Sequence, residues 1–190
     1  MAVRVIENKN FEKYTFSDNE LTKGEYEKCR FISCDFTNSD LSNITLIDCE
    51  FDQCNLSMTK LRNTSLKTVK FTNCKLLGLN FNDCNSFLLS VCFENCLLSL
   101  ASFYKLKLKG TKFINCDLKE VDFTESDLNN AVFDNCDLDR AIFERTILEK
   151  ANFRTAYHYS IDPTVNRIKR AKFSNSRLAG LLDKYNLEIE

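Results

Sequence analysis

The chain has 190 residues, a net charge of −1, 44% hydrophobic residues, only four glycines and one proline. This composition predicts a single folded domain with a sizeable core and argues against long disordered linkers. No apolar run follows Met1 and no stretch is long enough to span a bilayer. We therefore expect no signal peptide, no membrane association and a cytoplasmic protein.

Residues 1–10 are predicted to be an N-terminal cap, and residues 11–173 a solenoid, because an apolar residue recurs at every fifth position from Phe11 to Phe173. Neither an α-helix nor an ordinary strand keeps a period of five on one side. A closed coil with flat sides does so, because each five-residue side points its central residue inward. The spacing slips once, by two residues, between Phe81 and Leu88.

The number of sides follows from residue identity at every fourth core position, a step of 20 residues. One such column consists entirely of phenylalanine: Phe11, Phe31, Phe51, Phe71, Phe93, Phe113, Phe133, Phe153 and Phe173. The other three columns contain Leu, Phe, Tyr or Ile. Similar side chains stacked one strand spacing apart fill a narrow interior densely. The sequence therefore predicts an all-β, four-sided parallel solenoid with 20 residues per coil.

The position two residues before each core residue also faces inward and is usually small. This position forms one column of small residues on each wall, and eight of the ten cysteines lie in two of these four columns. We therefore expect buried packing thiols and not disulfides. The chain has no Cys-x-x-Cys motif, and its only histidine is His158, so we expect no metal and no cofactor. Asn73, Asn95, Asn115 and Asn135 precede cysteines of one column, and we expect them to form a ladder at a corner.

Segments such as 131–135 (Ala-Val-Phe-Asp-Asn) and 126–130 (Ser-Asp-Leu-Asn-Asn) match the pattern A(D/N)LXX. Residues 11–178 therefore resemble the pentapeptide-repeat family. The resemblance implies a right-handed quadrilateral parallel β-helix. Its best-known members, the quinolone-resistance (Qnr), mycobacterial and microcin-immunity types, bind DNA gyrase or topoisomerase IV as rods that imitate duplex DNA.

Two segments interrupt the repeat. The slip, assigned to residues 82–87, is either a neutral bulge or a surface feature for a partner, with Phe87 exposed. The second segment, 157–164, puts His158 and Pro163 at core positions, and its Asp-Pro step favours a turn. We expect it to loop out before Ile168 rejoins the core, with His158 structural and not catalytic.

Residues 174–190 are predicted to form a helix and a short strand. An apolar stripe of helical spacing comprises Leu178, Leu181, Leu182 and Tyr185, and Ser174 or Ser176 could cap the helix start. Leu187 and Ile189 then alternate with glutamates, as in a strand. An open solenoid end needs a cap, and the stripe could also pair across a two-fold axis. Family members often dimerise through such a module, which implies a homodimer here.

Charges occur in runs of one sign. Basic runs cover 60–75, 105–112 and 167–177, and the stretch 117–139 holds eight acids against Lys119 alone. We expect these runs to form belts that alternate in sign along the rod. They are either a solubilising surface or, in the acidic belt, a partner-binding site. The predicted partner-binding residues are Asp117 and Asp137, stacked on one side, Asp122 on the next side and Asp127 on the one after.

The sequence predicts no enzyme, because it has no nucleophile–base pair, no paired catalytic carboxylates and no phosphate-binding glycine loop. A protein-interaction rod remains, most concretely a DNA mimic that binds a type II topoisomerase and protects it against quinolone-type inhibitors. The alternative is a structural or scaffolding rod with an unrelated protein partner. Direct nucleic-acid binding through 60–75 and 105–112 is not favoured, because these runs lack interleaved exposed aromatic residues.

Overall fold

The computed structural model describes residues 4–16 and 21–188. These residues form the predicted four-walled parallel β-solenoid, in which each wall pairs with the same wall one coil later. We number the walls 1 to 4 after the core columns that begin with Phe11, Phe16, Leu21 and Tyr26. Across the described ranges, no helix combines the length and apolar character needed to cross a membrane.

Walls 1 and 4 contain the regular strands. These are β1 (Val5–Glu7), β2 (Asn10–Glu12), β3 (Glu25–Glu27), β4 (Arg30–Ile32), β5 (Thr45–Ile47), β6 (Glu50–Asp52), β7 (Ser65–Lys67), β8 (Val69–Thr72), β9 (Val91–Glu94), β10 (Lys112–Ile114) and β11 (Val132–Asp134). Wall 1 is a parallel sheet in the order β11-β10-β9-β8-β6-β4-β2, and wall 4 begins with the sheet β1-β3-β5-β7. Isolated parallel bridges hold walls 2 and 3 and the remaining coils of walls 1 and 4. Three 3₁₀ helices cover Phe81–Asp83, Asn175–Leu181 and Asp183–Tyr185.

The solenoid starts before the predicted boundary at residue 11. Strand β1 pairs in register with β3, so Ile6 precedes Tyr26 in the wall 4 column. Ile6 stands five residues before Phe11 and simply continues the repeat. Residues 5–10 of the predicted N-terminal cap are therefore part of the first coil, and residues 1–3 lie outside the described residues.

Nine phenylalanine rings form one stack along wall 1, from Phe11 to Phe173. Consecutive ring centroids are 4.6–5.4 Å apart, and the ring planes differ by only 4–18°. A second stack on wall 3 begins at Phe81 and meets the first edge-on, as between Phe93 and Phe103 at 5.8 Å and 72°. Stacked and edge-on contacts are both favourable for aromatic rings. The 20-residue register predicted from the phenylalanine column is confirmed.

The cysteines pack as predicted. All ten are free thiols; nine are buried and Cys92 is half-buried. A ladder thiol typically donates to a carbonyl of the preceding coil, as from Cys54 Sγ to the Phe31 oxygen at 3.2 Å. Burial raises the pKa of the Cys49 and Cys84 thiols to about 12. Since the thiolate is the reactive form, these side chains are inert packing groups at neutral pH.

Most corners between walls have left-handed backbone, and residues of many types occupy them. The predicted asparagine ladder is present: from Asn95 on, each Nδ2 donates to the Oδ1 of the asparagine one coil earlier at 3.0–3.2 Å. Thr68 and Leu100 adopt the same conformation, with φ of 56° and 63°. They do so because the corner amide must reach the next coil, as from Leu100 N to the Lys119 oxygen at 3.0 Å.

Gly110 lies at such a corner with φ 70°, and an added Cβ would meet no atom within 4 Å. We expect Gly110→Ala to lower the free energy of unfolding by about 1 kcal/mol, because left-handed backbone is unfavourable for a residue with a Cβ. Urea denaturation measures the change. Gly110→Asn is the matched control and should lose less, since Asn tolerates this conformation. An alanine variant as stable as the parent would contradict the expectation.

The two inserted residues lie later in the chain than predicted. Asn85 still pairs with Ser65, and Val91 already pairs with Val69, so the insertion falls within residues 86–90, which overlap the predicted segment 82–87 only at residues 86 and 87. Leu88, predicted to be a core residue, is 63% exposed, and Leu89 packs against the core instead. The leucines are chemically equivalent, and the bulge decides which one turns inward. Phe87 is 68% exposed.

The segment 157–164 stays on the coil longer than predicted. Tyr157 pairs with Asp137, and both Tyr159 and Ile161 are buried. His158 occupies a left-handed corner, φ 56°, with its ring outside, so Tyr159 fills the core position predicted for His158. The chain turns away only after Asp162, whose Oδ1 accepts a hydrogen bond from Thr164 N at 2.8 Å. Ile168 then packs against the core, as predicted.

Candidate interaction surface

The four predicted partner-binding aspartates share one structural role. The Oδ1 of each aspartate accepts a hydrogen bond from the backbone N–H two residues later, at 2.9–3.2 Å. The four aspartates are Asp117, Asp122, Asp127 and Asp137. This arrangement stabilises the turn that follows. All four side chains are partly buried. The aspartates therefore build the corners, whatever else their charges do.

Three of these aspartates face one side of the rod, and the fourth faces away. Asp117 and Asp137 are bridge partners on wall 2, and Asp122 lies on the adjoining wall 3. Asp127 lies on wall 4, opposite wall 2, where its Oδ2 is 3.2 Å from Lys109 Nζ. The wall assignments agree with those predicted, but Asp127 does not share a surface with the other three.

Asp137 is the centre of a small charged cluster. Its Oδ1 lies 2.9 Å from His158 Nδ1, and its Oδ2 lies 3.3 Å from Lys119 Nζ. Burial acts to raise the pKa of Asp137, but the hydrogen bonds from His158, Asp139 N and Lys119 outweigh it and hold the pKa below its ordinary value. The Asp137 carboxylate is 14% exposed and contacts its own turn, the preceding coil through Lys119 and the following coil through His158. The contact with Asp137 gives His158 a structural role.

The charges from residue 64 onward are sorted by wall. Walls 2 and 3 carry nine acids and five bases between residues 74 and 165, and we call this side the acidic face. Its acids are Asp83, Asp117, Glu120, Asp122, Glu125, Asp137, Asp139, Glu144 and Asp162, and its bases are Lys75, Lys105, Lys119, Arg140 and Arg145. The surface is thus acidic on one side of the rod and not around its whole circumference.

Walls 4 and 1 have the opposite balance, with eleven bases and four acids between residues 64 and 175. We call this side the basic face. Its bases are Lys67, Lys70, Lys107, Lys109, Lys112, Lys150, Arg154, Arg167, Lys169, Arg170 and Lys172, and its acids are Glu94, Asp127, Asp134 and Glu149.

The prediction of belts alternating along the axis is therefore incomplete. A 20-residue coil distributes each charge run over all four walls, so the sign on a given wall depends on position within the coil. Sorting the charges by that position would have found the two faces from the sequence.

Ion pairs between coils occupy much of the acidic face. Glu125 lies 3.0 Å from Arg145 and 3.5 Å from Lys105, and Glu120 lies 2.9 Å from Arg140. Stacked charges of opposite sign also occur near the N-terminus, as between Arg30 and Glu50 at 3.0 Å. Such exposed pairs stabilise little, but they remove like-charge repulsion between coils.

Two exposed apolar features lie on opposite sides of the rod. Met58, Leu77, Leu97 and Leu100 form an exposed apolar group on three successive coils of wall 2. Phe87 and Leu88 project from the bulge on wall 4. Scattered exposed apolar residues are ordinary on protein surfaces, whereas grouped ones often mark contact sites.

The C-terminal segment caps the last coil. The predicted helix is present as two short 3₁₀ helices, and Arg177, within the first of them, departs from helical geometry. The backbone oxygen of Arg177 accepts a hydrogen bond from Tyr159 Oη at 2.7 Å. The Arg177 side chain donates from Nη1 to the backbone oxygens of Thr155 and Ala156, at 2.7 and 2.9 Å. Neither Ser174 nor Ser176 caps the first helix through its side chain: the Ser174 hydroxyl bonds to that of Ser176.

The predicted apolar stripe is divided by this geometry. Leu181 packs against the core, whereas Leu178, Leu182 and Tyr185 are exposed. Leu187 is not part of a strand, and the remainder of the predicted strand, residues 189–190, lies outside the described residues. Leu181 therefore anchors the cap, and the other three side chains are available at the end of the rod.

The comparisons with known proteins agree with this architecture. The family model described as the pentapeptide repeat region matches residues 24–89 and 86–182. A trypsin-treated variant of QnrB1, a plasmid-mediated fluoroquinolone resistance protein, superposes with a TM-score of 0.58 at 17% identity, over 98% of this chain and 100% of the other.

HetL, a pentapeptide-repeat protein involved in heterocyst differentiation regulation in Nostoc, gives a TM-score of 0.42 at 18% identity, over 88% of this chain and 84% of its own. No curated protein sequence matches the chain. At these identities the structural matches show the fold alone.

Proposed function

Because this chain belongs to the pentapeptide-repeat family, we propose that it is a protein-interaction rod without enzymatic activity that binds a type II topoisomerase as a mimic of duplex DNA. Its partner is DNA gyrase or topoisomerase IV, and binding protects that enzyme against quinolone-type inhibitors. The acidic face carries the proposal, because it brings seven of its nine carboxylates to one side of the rod on two successive coils, which lie about 4.8 Å apart. The ten free thiols fit a reducing cytoplasm.

Three aspartates of the acidic face present their charge in rigid positions. The side chains of Asp117, Asp122 and Asp137 are fixed by hydrogen bonds within their turns. Rigid charge imitates a phosphate backbone at a lower entropic cost than mobile side chains do. Complementary charge also speeds association with an enzyme surface that has evolved to bind DNA.

A second candidate is a scaffolding rod whose protein partner is unrelated to topoisomerases. The apolar group on wall 2 favours it, because Met58, Leu77, Leu97 and Leu100 interrupt the charged surface where a polyanion mimic has no use for them. In this case the partner contacts the apolar group, and the acidic residues only surround the contact.

A gyrase supercoiling assay with and without a quinolone distinguishes the two candidates. We expect the protein to reduce quinolone inhibition, and the triple variant Asp117→Asn, Asp122→Asn, Asp137→Asn to need at least about tenfold more protein for the same effect. Asn keeps the oxygen that accepts the turn hydrogen bond, as Asn55 does toward Ser57, so charge alone is removed.

The matched control in this assay is Asp127→Asn on the opposite wall, which should act like the parent. A parent protein without effect on gyrase or topoisomerase IV at any concentration would refute the topoisomerase role. Loss of activity in Leu97→Ser and Leu100→Ser, with the triple aspartate variant still active, would favour contact through the apolar group.

The same proposal includes a homodimer formed through the C-terminal cap. Leu178, Leu182 and Tyr185 are exposed on a segment that Leu181 fixes to the core. We expect Leu182→Glu to halve the mass measured by light scattering, because a buried unpaired carboxylate opposes association. Leu100→Glu, at an exposed leucine on wall 2, is the control and should keep the parent mass. A monomeric parent, or a Leu182→Glu variant with unchanged mass, would contradict the dimer.

A further inference from the structure

We propose that the basic face binds duplex nucleic acid through its phosphate backbone, and that Phe87 contacts the duplex from the second of the six coils of that face. The proposal is independent of the topoisomerase role, because the basic and acidic faces lie on opposite sides of the rod. It concerns binding without base-specific readout, for which interleaved stacking aromatics are not required.

Most of the bases on this face have no acidic partner. Lys70, Lys109 and Arg167 pair with Glu94, Asp127 and Glu149. The other eight form no ion pair with a carboxylate of the described residues: Lys67, Lys107, Lys112, Lys150, Arg154, Lys169, Arg170 and Lys172. Unneutralised cations collected on one face are the electrostatic footprint of a polyanion site.

The C-terminal end of the basic face stacks like charges that have no acidic partner among the described residues. On the acidic face, Glu120 pairs with Arg140 on the next coil, and Lys119 Nζ bridges the stacked carboxylates of Asp117 and Asp137 at 3.4 and 3.3 Å. At the C-terminal end of the basic face, Lys150 and Arg170 occupy the same corner one coil apart, with Lys169 and Lys172 beside them. Like charges at this spacing destabilise the fold. Their repulsion gives no structural benefit, whereas a bound anion would relieve it.

The dimensions of the basic face suit a duplex. From Lys67 to Lys169 the face spans five coil steps, about 24 Å, which corresponds to about seven base pairs. Its surface comprises two adjoining walls, and its eleven bases lie on four of its six coils. A phosphate backbone carries charge along this whole length and can therefore reach the bases of all four coils.

The bulge adds an independent feature in the same place. Phe87 and Leu88 project from wall 4 between the coils that carry Lys67 and Lys107. Apolar side chains amid cations are the wedge that minor-groove proteins press against base steps. The bulge is too small to anchor the rod in a membrane, since it has only two exposed apolar residues. These features favour a duplex over a lipid surface.

Fluorescence anisotropy with a labelled 24-base-pair duplex tests the proposal. We expect the logarithm of the binding constant to fall with the logarithm of salt concentration with a slope of about −4 to −5, as for about five phosphate contacts. Lys150→Glu with Arg170→Glu should weaken binding at 50 mM salt at least about tenfold and reduce the slope by about 2. Phe87→Ala should weaken binding about threefold or more and leave the slope unchanged.

The matched control is Lys60→Glu with Arg62→Glu, which reverses two exposed bases on wall 3, outside both faces. It should bind the duplex like the parent, and circular dichroism should show both double variants folded. No binding at 50 mM salt, or equal losses in the two double variants, would overturn the proposal. So would binding to phosphatidylserine vesicles in the absence of any duplex binding. The topoisomerase role is untouched by either result, because the aspartate variants test it separately.

Discussion

Phe113→Ala is expected to lower the free energy of unfolding by about 3–5 kcal/mol. The ring is fully buried and lies 5.2 Å from Phe93 and 5.1 Å from Phe133, with edge-on contacts to Phe103 and Phe123. Removing it leaves a cavity that cannot collapse, because each neighbouring coil is fixed by its own backbone hydrogen bonds. Chemical denaturation followed by circular dichroism measures the loss.

Phe113→Leu is the control for this prediction. Leucine fills the equivalent core position on walls 2 and 4 of the same coils, as Leu118 and Leu108 do. The variant should therefore lose less than half as much stability as Phe113→Ala. An alanine variant within 1 kcal/mol of the parent, where about 1 kcal/mol is the effect of an average substitution, would show that the ring is not part of a continuous stack.

Stability is expected to fall as the pH rises above about 8. Burial raises the pKa of Cys49 and Cys84 from 9.0 to about 12. Below about pH 8 both thiols are protonated in the folded and the unfolded chain, and their contribution is fully present. Between pH 8 and 12 the unfolded chain ionises first, so each thiol destabilises the fold by about 1.4 kcal/mol at pH 10. Urea denaturation at pH 8 and pH 10 measures the difference.

Cys49→Ala with Cys84→Ser is the control for the pH effect. Ala131 occupies the Cys49 column and Ser126 the Cys84 column, so both replacements fit the core. The double variant should lose about 2.7 kcal/mol less than the parent between pH 8 and pH 10. An equal loss in both proteins would mean that other groups, such as Tyr26 with its pKa raised to about 12, cause the decline.

The periodicity of five was sufficient to predict the fold. Phe11 through Phe173 identify the stacking column, the small columns identify the buried thiols, and Asn95, Asn115 and Asn135 identify a corner ladder. Each of these rests on one residue type repeated at one coil position, so the pattern persists even where single residues deviate. Packing in a solenoid is local between coils, which makes such a pattern decisive.

The details that failed depend on competition between similar residues. Leu88 and Leu89 are equally apolar, and only the course of the bulge decides that Leu89 packs inward. The C-terminal stripe has helical spacing, but the hydrogen bonds of Arg177 with the last coil impose two 3₁₀ segments. Both outcomes are set by tertiary contacts that periodicity does not contain.

The surface was predicted least well for a different reason. A linear run such as 117–139 looks uniformly acidic, yet its residues point to all four walls. The turn-capping role of Asp117, Asp122 and Asp137 was also missed, although the recurrence of Asp or Asn before the core residue could have indicated it. These roles explain why Asp→Asn, and not charge reversal, is the informative substitution.

The central claim is that residues 20 apart stack in a four-walled rod, which in turn separates an acidic face from a basic one. A crystal structure of the chain tests it most directly. We predict that the rings of Phe93, Phe113 and Phe133 lie about 5 Å apart and nearly parallel, with Lys150 and Arg170 adjacent at one corner. Rings separated by other side chains, or these two bases on different walls, would contradict the account.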